Sequence, residues 1–113
     1  MTKFNARRVE IDGHRFDSTA EGRRYATLAA LERAGKIAGL ELQPRFDCLV
    51  AGVKICTYVA DFRYRRGGAS VVEDVKGVRT AVYHLKRKLA EACHPGLVIT
   101  EIPAAGAGRP RRR

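Results

Sequence analysis

Four residues stand out for what their types and spacing could do: Glu21, Asp61, Asp74 and Lys76. Residues 59–64 and 70–76 read as two strands separated by Arg65-Arg66-Gly67-Gly68-Ala69. A two-residue turn at Gly67-Gly68 sets Asp61 directly opposite Asp74, with Cβ atoms ~4.5–5.5 Å apart. Two carboxylates that close repel, so one must protonate or a cation must sit between them. A hard divalent ion with oxygen ligands meets that need. In Val71-Val72-Glu73-Asp74-Val75-Lys76 the side chains alternate faces. Asp74 and Lys76 therefore share a face with Val72, while Glu73 points the other way with Val71 and Val75. An acid and an amine two residues apart on one strand face can serve one reacting centre. The acid holds a metal, and the lysine stabilises developing charge or orients a water. The Val75 carbonyl can be an additional oxygen ligand. Apolar neighbours in Tyr58-Val59-Ala60-Asp61-Phe62 suggest a central strand, where an unmatched charge is costly. The competing reading is an exposed hairpin with a cross-strand charge cluster, since an Asp-x-Lys triplet alone is common.

The elements that must position these groups are legible in outline. Residues 8–11 and His14–Phe16 flank Asp12-Gly13, a strong hairpin signal. Ser18-Thr19-Ala20-Glu21 fits a capping box and opens a helix to about Ala34, with Gly35 as its stop. Tyr25, Leu28 and Leu31 or Glu32 follow Glu21 at helical spacing, which puts Glu21 on or beside the core stripe. Its capping role explains Glu21 almost as well as chemistry does. Strands are predicted at 40–43, Arg45–Val50 and 53–58, with Ala51-Gly52 as a turn, and 53–64 could form one long bent strand. A second helix runs from Thr80 to about Cys93, with Val82, Leu85, Leu89 and Ala92 or Cys93 recurring on one face. Pro95-Gly96 ends it, and 97–102 is a last strand. The expected fold class is α/β (α+β), a central mixed sheet flanked by helices. It forms one domain over 1–102, followed by a disordered basic tail over 103–113.

Composition narrows the partner. The chain has 113 residues with a net charge of +10, and its pI is about 10.2. Four of those charges belong to the tail arginines, so the body is basic by itself. Such an excess draws polyanions, nucleic acids first. No apolar run approaches the ~20 residues of a membrane span, and no signal peptide is evident. The expectation is a cytoplasmic protein with no membrane partner. Cys48, Cys56 and Cys93 lack metal-ligand spacing and read as reduced, partly buried thiols.

The order of a helix acid, a strand Asp, then acid-x-Lys resembles the PD-(D/E)XK nuclease superfamily. More closely, residues 8–102 resemble small phage and prophage endonucleases of the Holliday-junction-resolvase type. The stretches that carry this are Phe16-Asp17-Ser18-Thr19-Ala20-Glu21, Leu42-Gln43-Pro44-Arg45-Phe46, Tyr58-Val59-Ala60-Asp61-Phe62 and Val72-Glu73-Asp74-Val75-Lys76-Gly77, with Thr80-x-x-Tyr83-x-x-Lys86-x-Lys88-Leu89 continuing the match. Ala60 stands where the motif has Pro, and Asp74 where many members have Glu. The resemblance implies a restriction-endonuclease-like fold, Mg²⁺ (with Mn²⁺ substituting) on Asp61 and Asp74, a catalytic Lys76, and Glu21 assisting the metal or the water. It also places the second helix beside the site, which makes Tyr83, Lys86, Arg87 and Lys88 candidate DNA contacts. Arg63, Arg65 and Arg79 would extend that basic track. The implied activity is hydrolysis of branched or duplex DNA in phage DNA metabolism. Junction cleavage needs two sites, most simply supplied by a homodimer. The rival from another class is a basic DNA-binding module with no catalysis. A third, an RNA-binding protein, lacks the expected stacking aromatics.

Overall fold

The computed structural model describes residues 8–104. The first hairpin pairs β1 (Val9–Ile11) with β2 (His14–Phe16). Its turn places Asp12 and Gly13 both at positive φ, 54° and 79°, which is the geometry Asp-Gly favours. Helix α1 (Thr19–Arg33) starts where Ser18 accepts a bond from the Glu21 backbone N–H, and Gly35 at φ 77° follows its end. Gly22, Tyr25, Leu28 and Ala29 are its buried residues.

Strands β3 (Ala38–Leu42), β4 (Arg45–Val50), β5 (Val53–Val59), β6 (Phe62–Arg66) and β7 (Ala69–Lys76) follow, then α2 (Ala81–Cys93) and β8 (Ile99–Pro103). The central sheet has the order β3-β6-β7-β8. Its β3–β6 and β6–β7 pairs are antiparallel, and β7–β8 is parallel across the α2 connection. The protein is therefore a mixed α+β domain with a mixed sheet and two helices. The β4–β5 hairpin forms a separate two-stranded sheet.

The segment 59–64 is not a single strand, contrary to the sequence expectation. Two neighbouring stretches leave the hairpin for the central sheet together, Gln43-Pro44 and Ala60-Asp61. The Ala60 N–H bonds the Pro44 carbonyl at 3.0 Å, and the Gln43 N–H bonds the Asp61 carbonyl at 2.9 Å. Gln43 takes φ 53°, a costly conformation for a residue with a side chain, and it turns the corner. The final strand starts at Ile99 and reaches Pro103, so 103–104 belongs to the domain, with the Ala104 N–H bonded to the Lys76 carbonyl. The rest of the predicted tail, and residues 1–7, lie outside the described residues.

Strand β7 divides two hydrophobic clusters. On the α1 side lie Phe16, Tyr25, Leu28, Phe62, Tyr64 and Val75. On the α2 side lie Phe46, Cys48, Tyr58, Val72, Tyr83 and Ile99. Side chains that alternate along one buried strand reach both. No helix among the described residues is long and apolar enough to cross a membrane.

Candidate functional site

The β6–β7 register places the acids. Phe62 pairs with Glu73, Arg63 with Val72 and Arg66 with Ala69, around a turn at Gly67-Gly68. One step beyond Phe62, Asp61 stands opposite Asp74. It lies just outside β6, with its backbone N–H still bonded to the Glu73 carbonyl at 3.1 Å. Its carboxylate accepts the Val75 backbone N–H at 2.7 Å. In an extended strand a residue's N–H and C=O point to the same edge, so the Val75 carbonyl also turns toward Asp61.

The electrostatics show crowded acids. The Asp61 carboxyl is pushed up to about 8. Burial is the main cause, followed by hydrogen bonding with Asp74 and the charges of Glu21 and Asp74, while the Val75 N–H opposes the rise. Glu21 is also raised, by burial first and the Asp17 charge next, then by Asp74. A backbone hydrogen bond from Asp17 and the charge of Lys76 act against the rise. Asp74 therefore acts on both Glu21 and Asp61, and Lys76 acts on Glu21. Asp74 is 3% exposed, and the Tyr58 hydroxyl donates to it. That bond and burial together hold the Tyr58 hydroxyl far above the usual phenol range, burial being the larger cause. Lys76 lies over the Tyr83 ring, 4.4 Å from its centroid. Glu21 and Asp61 open onto a cleft that Phe16, Phe62, Leu42, Gln43, His14 and Arg15 complete. Sequence reading did not single out His14, Arg15 or Gln43 for the site. The one available signal was the Leu42-Gln43-Pro44 stretch.

Glu73 faces away from Asp74, as strand alternation predicts. It is 2% exposed and paired with Arg24 of α1 through two bonds of 2.8 and 2.6 Å, and it accepts the Tyr64 hydroxyl. Arg24 follows Glu21 by three residues, so this pair ties the stretch of helix carrying Glu21 to the strand carrying Asp74.

The expected DNA contacts fare differently. Glu101 on β8 gathers three of them. Arg79 bonds it at 2.9 Å, the Tyr83 hydroxyl at 2.8 Å and Arg87 at 3.0 Å. Arg87 also bonds the Ile99 carbonyl. Arg63 pairs with Glu41 at 2.7 Å and stacks over Phe46. Tyr83 and Arg87 thus tie α2 to β8, Arg79 ties the preceding loop to the same strand, and Arg63 joins β6 to β3. Lys86 and Lys88 have no ion pair among the described residues. The predicted inner stripe of α2 is also corrected. Tyr83 and Ala90 are its buried residues, whereas Val82 is 65% and Leu85 62% exposed. The polar tips of Tyr83 and Arg87 find Glu101 only if that side turns inward.

Two acids, Asp61 and Asp74, are suited to share a cation, with the Val75 carbonyl beside them. Among the described residues, however, no group of three or more His, Cys, Asp or Glu side chains is placed to hold a metal ion. The three cysteines are free, with Cys48 buried and Cys56 and Cys93 half-buried.

Residues 1–104 match the family described as "Protein of unknown function (DUF1064)", and the chain belongs to that family. No curated protein matches it.

Proposed function

We propose that this chain is a Mg²⁺-dependent DNA endonuclease with a restriction-endonuclease-like core, hydrolysing phosphodiesters in branched or duplex DNA during phage DNA metabolism. One observation carries the reading. Asp61 and Asp74 are opposed at the same corner as Glu21 and Lys76, and burial first, with that crowding second, lifts the Asp61 carboxyl to about 8. A divalent cation relieves that repulsion, and Mn²⁺ offers the same oxygen-ligand chemistry. When bound, it would lower the pKa of a water and stabilise phosphate charge. Asp61 and Asp74 would hold it, with Glu21 across the cleft and the Val75 carbonyl as a further ligand. Lys76 has an ammonium available on the face it shares with Asp74. Resting on the Tyr83 ring, and with no carboxylate partner among the described residues, it can orient toward a scissile phosphate. Lys86 and Lys88, without ion pairs among the described residues, supply backbone affinity that weakens with salt.

A second reading, a basic DNA-binding module without catalysis, is favoured by the lack of a ready three-ligand group among the described residues. One experiment separates the two. Supercoiled plasmid and a four-way junction are incubated with the protein in Mg²⁺ or EDTA, beside Lys76→Ala. The nuclease reading expects cutting in Mg²⁺ only, lost in the variant. Binding without cutting in every lane gives the second reading. Cutting that persists in Asp74→Ala removes the site assignment.

A further inference from the structure

The cleft that Glu21 and Asp61 open onto is also lined by groups that can donate hydrogen bonds. These are His14 and Arg15 of β2 and Gln43, just beyond β3. The buried rings of Phe16 and Phe62, 6.4 Å apart, line it too. The cleft offers about 140 Å³ of water-accessible space. Sites for whole small molecules typically offer ~300–1,000 Å³. This one suits a single compact group on a longer chain, and donors beside metal-holding acids suit a phosphate.

Arg15 supplies a cation there. Arg24, Arg63, Arg79 and Arg87 are each paired with a carboxylate. Arg15 is exposed and has no ion pair among the described residues, even with Glu10, its partner across the hairpin. The hairpin that carries it is fastened to α1. The Tyr25 hydroxyl donates to Asp12 at 3.0 Å, and the His14 ring meets the Tyr25 ring edge-on at 5.4 Å. Tyr25 lies about one turn along α1 from Glu21. Arg15 is therefore carried by a strand held in register with the acid, as a preorganised site requires.

Gln43 stands out by its backbone. Three described residues other than glycine take a positive φ: Asp12 at 54°, Ala51 at 51° and Gln43 at 53°. Asp12 and Ala51 each precede a glycine in a two-residue hairpin turn, where that geometry is expected. Gln43 precedes Pro44, and a residue before proline is pushed toward extended backbone of negative φ. No turn rule accounts for a glutamine here, and glycine would cost less. Outliers of this kind gather at functional sites, and this one sits in the cleft with its backbone N–H on the Asp61 carbonyl.

We infer that Arg15 and Gln43 hold a phosphate of the DNA strand in this cleft, through the guanidinium and the carboxamide N–H. The inference rests on DNA as the ligand, as proposed above, but not on cleavage. Binding of a labelled duplex to the full chain is followed by fluorescence anisotropy over a salt series, with Ca²⁺ in place of Mg²⁺. Arg15→Gln should reduce the slope of log affinity against log salt by about 0.9, the value of one phosphate contact. Arg15→Lys should keep the slope, since it keeps the charge. Gln43→Gly should weaken binding about tenfold, the size of one hydrogen bond to a charged group, with the slope unchanged. Its melting temperature should not fall, because glycine accepts a positive φ freely. An unchanged slope in Arg15→Gln, an unchanged affinity in Gln43→Gly, or a loss there that follows a lowered melting temperature overturns the inference alone. A parent that binds no DNA overturns it together with the proposed function. A parent that shows the expected changes yet never cuts in Mg²⁺ supports it while removing the nuclease reading.

Discussion

The Arg24 guanidinium holds both oxygens of the Glu73 carboxylate, at 2.8 and 2.6 Å, on the face of β7 opposite Asp74. The Glu73 side chain is 3% exposed and that of Arg24 26%. Removing one partner of a buried pair strands the other charge, which costs about 3–5 kcal/mol. Because Arg24 is partly open to water, Arg24→Ala should lie near the lower end, about 3 kcal/mol. Glu73→Gln, which keeps the shape and some hydrogen bonds, should cost less. Urea denaturation of both variants measures this, and equal losses would argue against an uncompensated charge as the cause.

Asp61→Asn tests whether Asp61 is kept for stability. A carboxyl raised to about 8 is mostly protonated at pH 6, where Asn mimics it. With the folded value above the unfolded one, the carboxyl favours folding most below pH ~4, and that contribution is lost as pH rises toward about 8. The variant should match the parent in unfolding midpoint at low pH, exceed it above pH ~8, and lose cleavage throughout. Midpoints across a pH series, read beside plasmid cleavage, check all three.

Tyr58→Phe removes the hydroxyl that donates to Asp74. Partners of metal-holding carboxylates typically matter 10–100-fold in metal affinity. The Mg²⁺ concentration for half-maximal cleavage should rise about tenfold, with saturated rates changed less. A drop in the saturated rate alone would instead point to Tyr58 acting on the substrate.

Gly22 sits where α1 touches the first hairpin. A Cβ there would lie 2.6 Å from Val9 Cγ2 and 3.1 Å from Ile11 Cδ1. Alanine gains about 1 kcal/mol in helix propensity, but overpacking costs ~1–3 kcal/mol, and a β-branched valine is stiff at χ1. Gly22→Ala should lower the melting temperature, and Val9→Ala in the same chain should recover most of the loss.

The Cys48 thiol is raised to about 11, by burial first and Cys56 second. Thiolate is the reactive form, so Cys48 should react with Ellman's reagent at pH 8 far more slowly than the half-buried Cys56 and Cys93. Since the folded value is the raised one, stability falls as pH climbs from about 9 through about 11. Mass mapping of the modified thiols and a pH series of melting temperatures check these two outcomes.

The site's strand geometry was legible because it is local. Two glycines fixed the turn, alternation fixed the faces, and the Asp61–Asp74 opposition followed without knowledge of the rest. The cap at Ser18 was legible for the same reason, and the start of the second helix fell within one residue of its place at Ala81. The inward face of α2 was not. Apolar periodicity selects Val82 and Leu85, but the helix turns Tyr83 and Arg87 inward to reach Glu101, an acid on another strand that no spacing rule links to them. The partners of Glu73 and Arg63 were hidden likewise, since each pair joins residues distant in sequence. The corner at Gln43 and Ala60 depends on two segments turning together, which a pass along one segment does not reveal.

The separation of two clusters by β7 has a consequence for how this strand can change. Its side chains alternate between holding α1 in place and forming the corner with Asp61. Lengthening or shortening it by one residue ahead of Glu73 would exchange the two sets. An insertion would set Glu73 opposite Asp61, and a deletion would bring Asp74 under Arg24. Substitutions in β7 can be weighed one residue at a time, but its length is fixed by both jobs at once. Over evolutionary time, insertions and deletions should instead collect in turns such as Ala51-Gly52, which carry neither.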